Sequence, residues 1–182
     1  MNTDIHLFLF RRPADQPLLP HSDLLLARAG QKFSGESSGW QVERPPGGKP
    51  RFSHRPGVEF SLSHSGDYWL CAMSRQPLGL DLQEHRLQDY ENISRRFFSP
   101  EEDAYLRSRD YEDFFTIWTA KESYVKCIGR GIDQEFSCFS VADEQGPRSR
   151  VKSLELRQLP FLPGYSLCLC AGEIGALLFR IL

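Results

Sequence analysis

The chain has 182 residues, 40% hydrophobic and 25% charged, a globular composition that excludes a disordered or low-complexity protein. It is long enough for one domain or two small lobes with a sizeable core, and its formal net charge of −2 gives no support to nucleic-acid binding. No apolar run approaches the ~20 residues of a membrane span. The five cysteines, Cys71, Cys127, Cys138, Cys168 and Cys170, form no Cys-x-x-Cys, and their odd number fits reduced thiols better than a disulfide framework. The first residues lack the basic start and small-residue cleavage site of a signal peptide, so the expected location is cytoplasmic.

Ile5 to Phe10 is an apolar run that predicts a buried strand, ended by Arg11, Arg12 and Pro13. Ser22 before Asp23 predicts a capped short helix that closes near Gly30. From Ser34 to Gly57, recurring glycine and proline predict mostly loop. Lys49 and Arg51 flank Pro50 inside it, either as phosphate ligands or as solvated loop charges. Val58 to Ser65 alternates as a strand, Gly66 and Asp67 turn, and Tyr68 to Met73 returns as a second strand. His64, between Ser63 and Ser65, falls at the strand end, as a structural histidine or as part of an anion cradle. Ser63 and His64 make a weak nucleophile pair, because neighbours on a strand point to opposite faces.

Leu78 to Glu84 predicts a third strand, with Leu78, Leu80 and Leu82 on one face and Gly79, Asp81 and Gln83 on the other. On residues alone, Asp81 and Gln83 read as an exposed pair on an edge strand. Tyr90 to Phe98 predicts a helix. Ser99, Pro100 and Glu102 form a capping box for another, which runs to about Leu106. Phe114 to Ile128 predicts one long helix, with Asp110, Glu112 and Asp113 at its positive end and Gly129 as its stop. Glu122 and Lys126 lie four apart on one face, with Trp118 a further four back. Such a pair is either a surface ion pair or a half-buried site. Arg130 and Gly131 read as a tight link. The remainder predicts strands over Phe136–Val141, Val151–Leu156, Tyr165–Ala171 and Ile174–Leu182, with a hairpin turn at Asp143–Gly146.

Each half holds helical material followed by strands, joined near Pro77 to Gly79. The fold expected is α+β, with two similar lobes over residues 1–76 and 77–182 and a cleft between them.

Three stretches taken together, Phe60–Gly66, Leu78–Leu82 and Trp118–Lys126, resemble the signature of the 4′-phosphopantetheinyl transferases of the larger, monomeric, surfactin-synthetase-activating type. Arg96–Ser99 with its acidic continuation and Gly48-Lys49-Pro50 fit the same order, so the resemblance covers roughly Gly48 to Gly131. It implies a pseudo-dimer of two lobes with coenzyme A in the cleft. It also implies Mg²⁺-dependent transfer of the 4′-phosphopantetheine arm to a serine of an apo acyl or peptidyl carrier protein, with release of adenosine 3′,5′-bisphosphate. By the same resemblance Asp81 and Glu122 ligate the metal and Lys126 meets the pyrophosphate. Glu122 or a metal-bound water takes the serine proton. Lys49, Ser63, His64 and Lys126 bind coenzyme A, with Arg28 as a further candidate. Many relatives carry glutamate where this chain has Gln83; an amide oxygen is a poorer, neutral ligand, so this position departs from the pattern. Family carriers are acidic, which makes Arg95, Arg96, Arg107 and Arg109 candidates for their recognition or plain helix charges. A coenzyme A- or carrier-binding module without chemistry, and a metal-dependent phosphohydrolase, are the alternatives.

Overall fold

The computed structural model describes residues 3–16, 20–130 and 134–182. Strand β1 (Ile5–Arg11) is followed by helix α1 (Ser22–Ser34), which runs four residues past the expected stop. His21, not Ser22, caps it, with Nδ1 accepting the Asp23 N–H at 3.3 Å, and Gly35 ends it in the left-handed region at φ 79°. The glycine- and proline-rich segment contains two short paired strands, β2 (Val42–Glu43) and β3 (Arg51–Phe52). They are anchored because Trp40 and Phe52 are buried, Trp40 lying over Gly30, where a side-chain carbon would stand 2.3 Å from its ring.

Strands β4 (Glu59–Ser65), β5 (Tyr68–Ser74) and β6 (Leu78–Glu84) follow as the alternation predicts. Helices α2 (Tyr90–Phe97) and α3 (Pro100–Ser108) come next, and the Ser99–Glu102 capping box is present. Helix α4 (Phe114–Ile128) ends at Gly129, which is left-handed at φ 75°. Its acidic lead-in does not cap it: the Asp113 carboxylate accepts the Tyr105 hydroxyl instead. Gly131 lies outside the described residues.

The expected strand over Phe136–Val141 is absent. A single 3-10 turn (Gln134–Ser137) stands there, followed by irregular chain. These residues are apolar because Phe136 and Val141 pack into the core around α4. The Phe139 carbonyl and the Val141 N–H are satisfied by the side chains of Lys121 and Glu102, so no ladder is needed. The hairpin turn is found between β7 (Ala142–Asp143) and β8 (Gly146–Pro147). Strands β9 (Arg150–Val151), β10 (Leu154–Gln158), β11 (Tyr165–Ala171) and β12 (Leu177–Ile181) complete the chain.

Two four-stranded sheets result, β12-β1-β5-β4 and β6-β11-β10-β9. They face each other across Ile5, Leu7, Leu70 and Ala72 on one side and Leu78, Leu80, Leu82, Leu167 and Leu169 on the other. Helix α1 covers the outer face of the first sheet through Leu25, Leu26 and Ala29, and α4 covers the outer face of the second. The last strand returns to the first sheet and runs parallel to β1.

Candidate active site

A glycine sets the site. A side-chain carbon at Gly79 would stand 1.8 Å from the Ser123 carbonyl oxygen and 2.5 Å from the Cys127 nitrogen. Only glycine lets the α4 backbone settle this close on β6. The face that reads as exposed in sequence is therefore covered by a helix, and Asp81 is 5% exposed. Lys126 Nζ donates to Asp81 Oδ1 at 2.6 Å and to the Leu80 carbonyl at 3.2 Å. Glu122, one turn earlier on α4, is 9% exposed. Burial, and then the nearby Asp81 charge, push its carboxyl up to about 7 against the pull of Lys126. Burial likewise raises Asp81, opposed by the Lys126 ammonium and by the hydrogen bonds from Lys126 and Ser63.

The other side of β6 is closed by serines. The Leu80, Leu82 and Glu84 N–H groups donate to Ser61, Ser63 and Ser65 Oγ at 2.9, 3.1 and 2.9 Å. The edge of β6 is thus paired by hydroxyls from β4, and alternate serines on one strand face stitch the two sheets. Ser63 Oγ also donates to Asp81 Oδ1 at 2.9 Å. Asp81 Oδ1 therefore receives two donors, while Oδ2 is buried with no hydrogen-bond partner. An orphaned carboxylate oxygen beside a second carboxylate fits a hard divalent cation such as Mg²⁺. Gln83, half-buried on the same strand face, is a further oxygen ligand the sequence places there. No cluster of three or more His, Cys, Asp or Glu occurs among the described residues, so solvent or substrate oxygens would complete the shell.

A cleft of about 530 Å³ opens beside this centre. Ser22, Arg44, Gly47 to Pro50, Phe60 to Leu62, Lys126, Gly129 and Arg130 line it. Lys49 is there, but its ammonium is engaged, donating to the Leu78 carbonyl at 2.7 Å and standing 3.7 Å from Glu59. His64 is exposed and faces an adjoining depression with His21, Ser22 and Arg44. Ser63 and His64 thus point apart, one to Asp81 and the other to that depression. Arg28 is exposed on α1 and lines neither.

Arg44 and Arg130 line the cleft without having been singled out by sequence. Arg44 sits in the loop-like segment and is held by a two-pronged contact with Asp23. Its place depends on the β2–β3 pairing, which no periodicity announces. Lys121 and Glu102 are a second surprise. Lys121 is adjacent to Glu122 in sequence but points the opposite way, fully buried, and donates to Glu102 at 2.8 and 3.2 Å. Glu102 also accepts the Ser99 and Val141 N–H groups, so this ion pair locks α3, α4 and the irregular segment together. Of the arginines considered for partner recognition, Arg95, Arg107 and Arg109 pair with Glu91, Asp103 and Asp113 of their own helical region, and Arg96 lies over Phe97.

A sequence model of the 4′-phosphopantetheinyl transferase superfamily matches residues 77–170, more than half of the chain and the part that holds Asp81, Glu122 and Lys126. The chain belongs to that superfamily. Among its 4′-phosphopantetheinyl transferase relatives, Sfp of Bacillus subtilis (strain 168) is 31% identical over 136 residues, 69% of this chain and 60% of the relative. Psf-1 of Bacillus pumilus is 37% identical over 140 residues, 71% of this chain and 59% of its own length. HetI of Nostoc sp. (strain PCC 7120) is 42% identical over 94 residues, 47% of this chain and 40% of its own length. The chain thus spans about 60% of the first of these relatives.

Proposed function

We propose that this 4′-phosphopantetheinyl transferase superfamily member moves the phosphopantetheine arm of coenzyme A to a serine of an acyl or peptidyl carrier protein. The observation that carries the reading is the buried Asp81, which has one oxygen bound by Lys126 and Ser63 and the other unpartnered, next to Glu122. In this reading the two sheets with their outer helices are the lobes of a pseudo-dimer, residues 1–76 and 77–182 for the most part. The protein acts as a cytoplasmic monomer.

Asp81 and Glu122, with Gln83 as a weaker ligand, would hold Mg²⁺. When bound, the ion supplies charge neutralisation for the pyrophosphate, as phosphoryl transfer requires. Lys126 sits between Asp81 and the cleft and neutralises the phosphate that leaves. Glu122, or a water held beside it, would take the proton of the attacking serine hydroxyl. The serine oxygen bonds to the phosphorus that carries the pantetheine arm. The bond from that phosphorus to the nucleotide half breaks, and adenosine 3′,5′-bisphosphate leaves with the electron pair. His64, Arg44, His21 and Ser22 surround a depression suited to the 3′-phosphate. Lys49 and Arg130 bring positive charge to the cleft, and Arg28, exposed on α1, lines neither the cleft nor the depression.

The test is mass spectrometry of apo carrier proteins from fatty-acid, polyketide and peptide synthesis, incubated with the protein, coenzyme A and Mg²⁺, with an EDTA control. A gain of one phosphopantetheine arm, lost with EDTA, is expected. Coenzyme A binding with no gain on any carrier would overturn the transferase reading in favour of a binding module.

A further inference from the structure

Ser63 stands at the meeting point of the two sheets, 6% exposed. Its oxygen already accepts the Leu82 N–H at 3.1 Å. Its single proton then has two acceptors in reach, Asp81 Oδ1 at 2.9 Å and the Leu82 carbonyl at the longer 3.4 Å. A carboxylate is the stronger acceptor and the nearer one, so the hydroxyl is oriented toward Asp81. Lys126 reaches the same oxygen at 2.6 Å. Two donors from different elements, a strand of the first sheet and a helix on the second, thus fix one oxygen of Asp81 and leave the other bare. Neighbouring serines show that the stitch itself does not require this. Ser61 and Ser65 accept from Leu80 and Glu84 in the same way, and Asp81 receives no bond from either.

We infer that Ser63 is a positioning residue for Asp81: its hydroxyl holds Oδ1 so that Oδ2 is presented to the cation. This rests on the metal-assisted reading above and deepens it. It assigns to the first lobe a part in building the metal site, which otherwise draws only on β6 and α4. Removing an outer hydrogen bond to a metal ligand typically costs 10- to 100-fold in metal affinity.

The experiment compares the full chain with Ser63→Ala, Ser63→Thr and Ser65→Ala. The last removes an equivalent N–H acceptor but touches no carboxylate. Two quantities are read: the Mg²⁺ concentration that half-saturates thermal stabilisation in the presence of coenzyme A, and the affinity for coenzyme A in EDTA by calorimetry. Ser63→Ala is expected to raise the Mg²⁺ midpoint about tenfold or more, with coenzyme A affinity in EDTA within about twofold of wild type. Ser63→Thr, which keeps the hydroxyl, restores most of the midpoint. Ser65→Ala leaves it within about twofold. If Ser63→Ala does not fold, Ser63→Cys, with a weak donor of similar size, takes its place in the comparison. An unchanged Mg²⁺ midpoint in Ser63→Ala overturns the proposal, as does an equal rise in Ser65→Ala. A fall in coenzyme A affinity with no change in the midpoint makes Ser63 a coenzyme contact instead. Wild-type protein with no saturable response to Mg²⁺ overturns the metal reading and this proposal together. A wild type that responds while Ser63→Ala matches it overturns this proposal alone.

Discussion

Glu122 is held in a place where its charge is costly. Its carboxyl is raised to about 7 from the ordinary 4.5, chiefly by burial and then by Asp81. Between those two values the folded metal-free protein keeps a proton that the unfolded chain has released. The unfolded state binds fewer protons there, so stability falls as the pH rises from about 4.5 to about 7. Glu122→Gln is neutral at every pH and does not share that loss. In EDTA at about pH 8, Glu122→Gln is expected to be more stable than wild type, by on the order of 1–3 kcal/mol, with little difference at about pH 5. Thermal melts of both proteins at the two pH values check this. Equal melting temperatures at the higher pH would mean that Glu122 is solvated and not burdened by its setting. On the proposed function the same variant is expected to transfer no phosphopantetheine while gaining stability in EDTA at the higher pH, which would separate function from stability.

At the scale of elements, one contact between β6 and α4 decides the site. Gly79→Ala would drive a methyl group to 1.8 Å from the Ser123 carbonyl oxygen, and the obstacle is helix backbone that cannot swing aside. The expected cost is at least about 3 kcal/mol in urea unfolding, together with loss of the Mg²⁺ response. Gly35→Ala is the comparison: it meets no atom within 4 Å and strains only its left-handed backbone, φ 79°, for about 1 kcal/mol. Equal costs for the two would show that helix and strand are not locked at Gly79. This contact also explains what the sequence discloses and what it hides. The strands from Glu59 to Glu84, the α3 capping box and the α4 stop at Gly129 are all governed by neighbours along the chain, and periodicity finds them. Asp81, Glu122 and Lys126 can be singled out in sequence because their motif has fixed spacing, and the fold brings the three side chains together. The burial of Asp81 is hidden, because the strand face of Gly79, Asp81 and Gln83 reads as exposed until the helix that lies on it is seen. Lys121 and Glu102 are hidden for the same reason. An amine beside a carboxylate in one helix reads as a surface charge, and its partner stands on another helix 19 residues away. The strand expected at Phe136–Val141 fails because apolar residues were taken for a ladder when side chains supply the backbone bonds.

On the scale of the whole molecule, the two sheets are not consecutive along the chain. The first sheet takes its outer strand, β12, from the last residues, and β1 pairs with it over Ile5 to Leu9. The core between the sheets is shared, with Leu7, Leu70 and Ala72 on one side and Leu80, Leu82 and Leu169 on the other. Each such buried side chain contributes about 1.5–3 kcal/mol by being removed from water, and three N–H groups of β6 depend on serines of β4. A piece comprising residues 1–76 would lose its edge strand, expose the inter-sheet face and keep only α1 as cover. That piece alone is expected to be unfolded, with collapsed amide dispersion in a ¹H–¹⁵N spectrum. The full chain is expected to melt in one transition, which Mg²⁺ with coenzyme A raises as a unit, since a ligand that bridges both sheets stabilises them together. A folded 1–76 piece, or two resolved transitions of which ligand moves only one, would show that the sheets are independent. The serine stitch would then be a contact between finished domains and not a part of how either one folds.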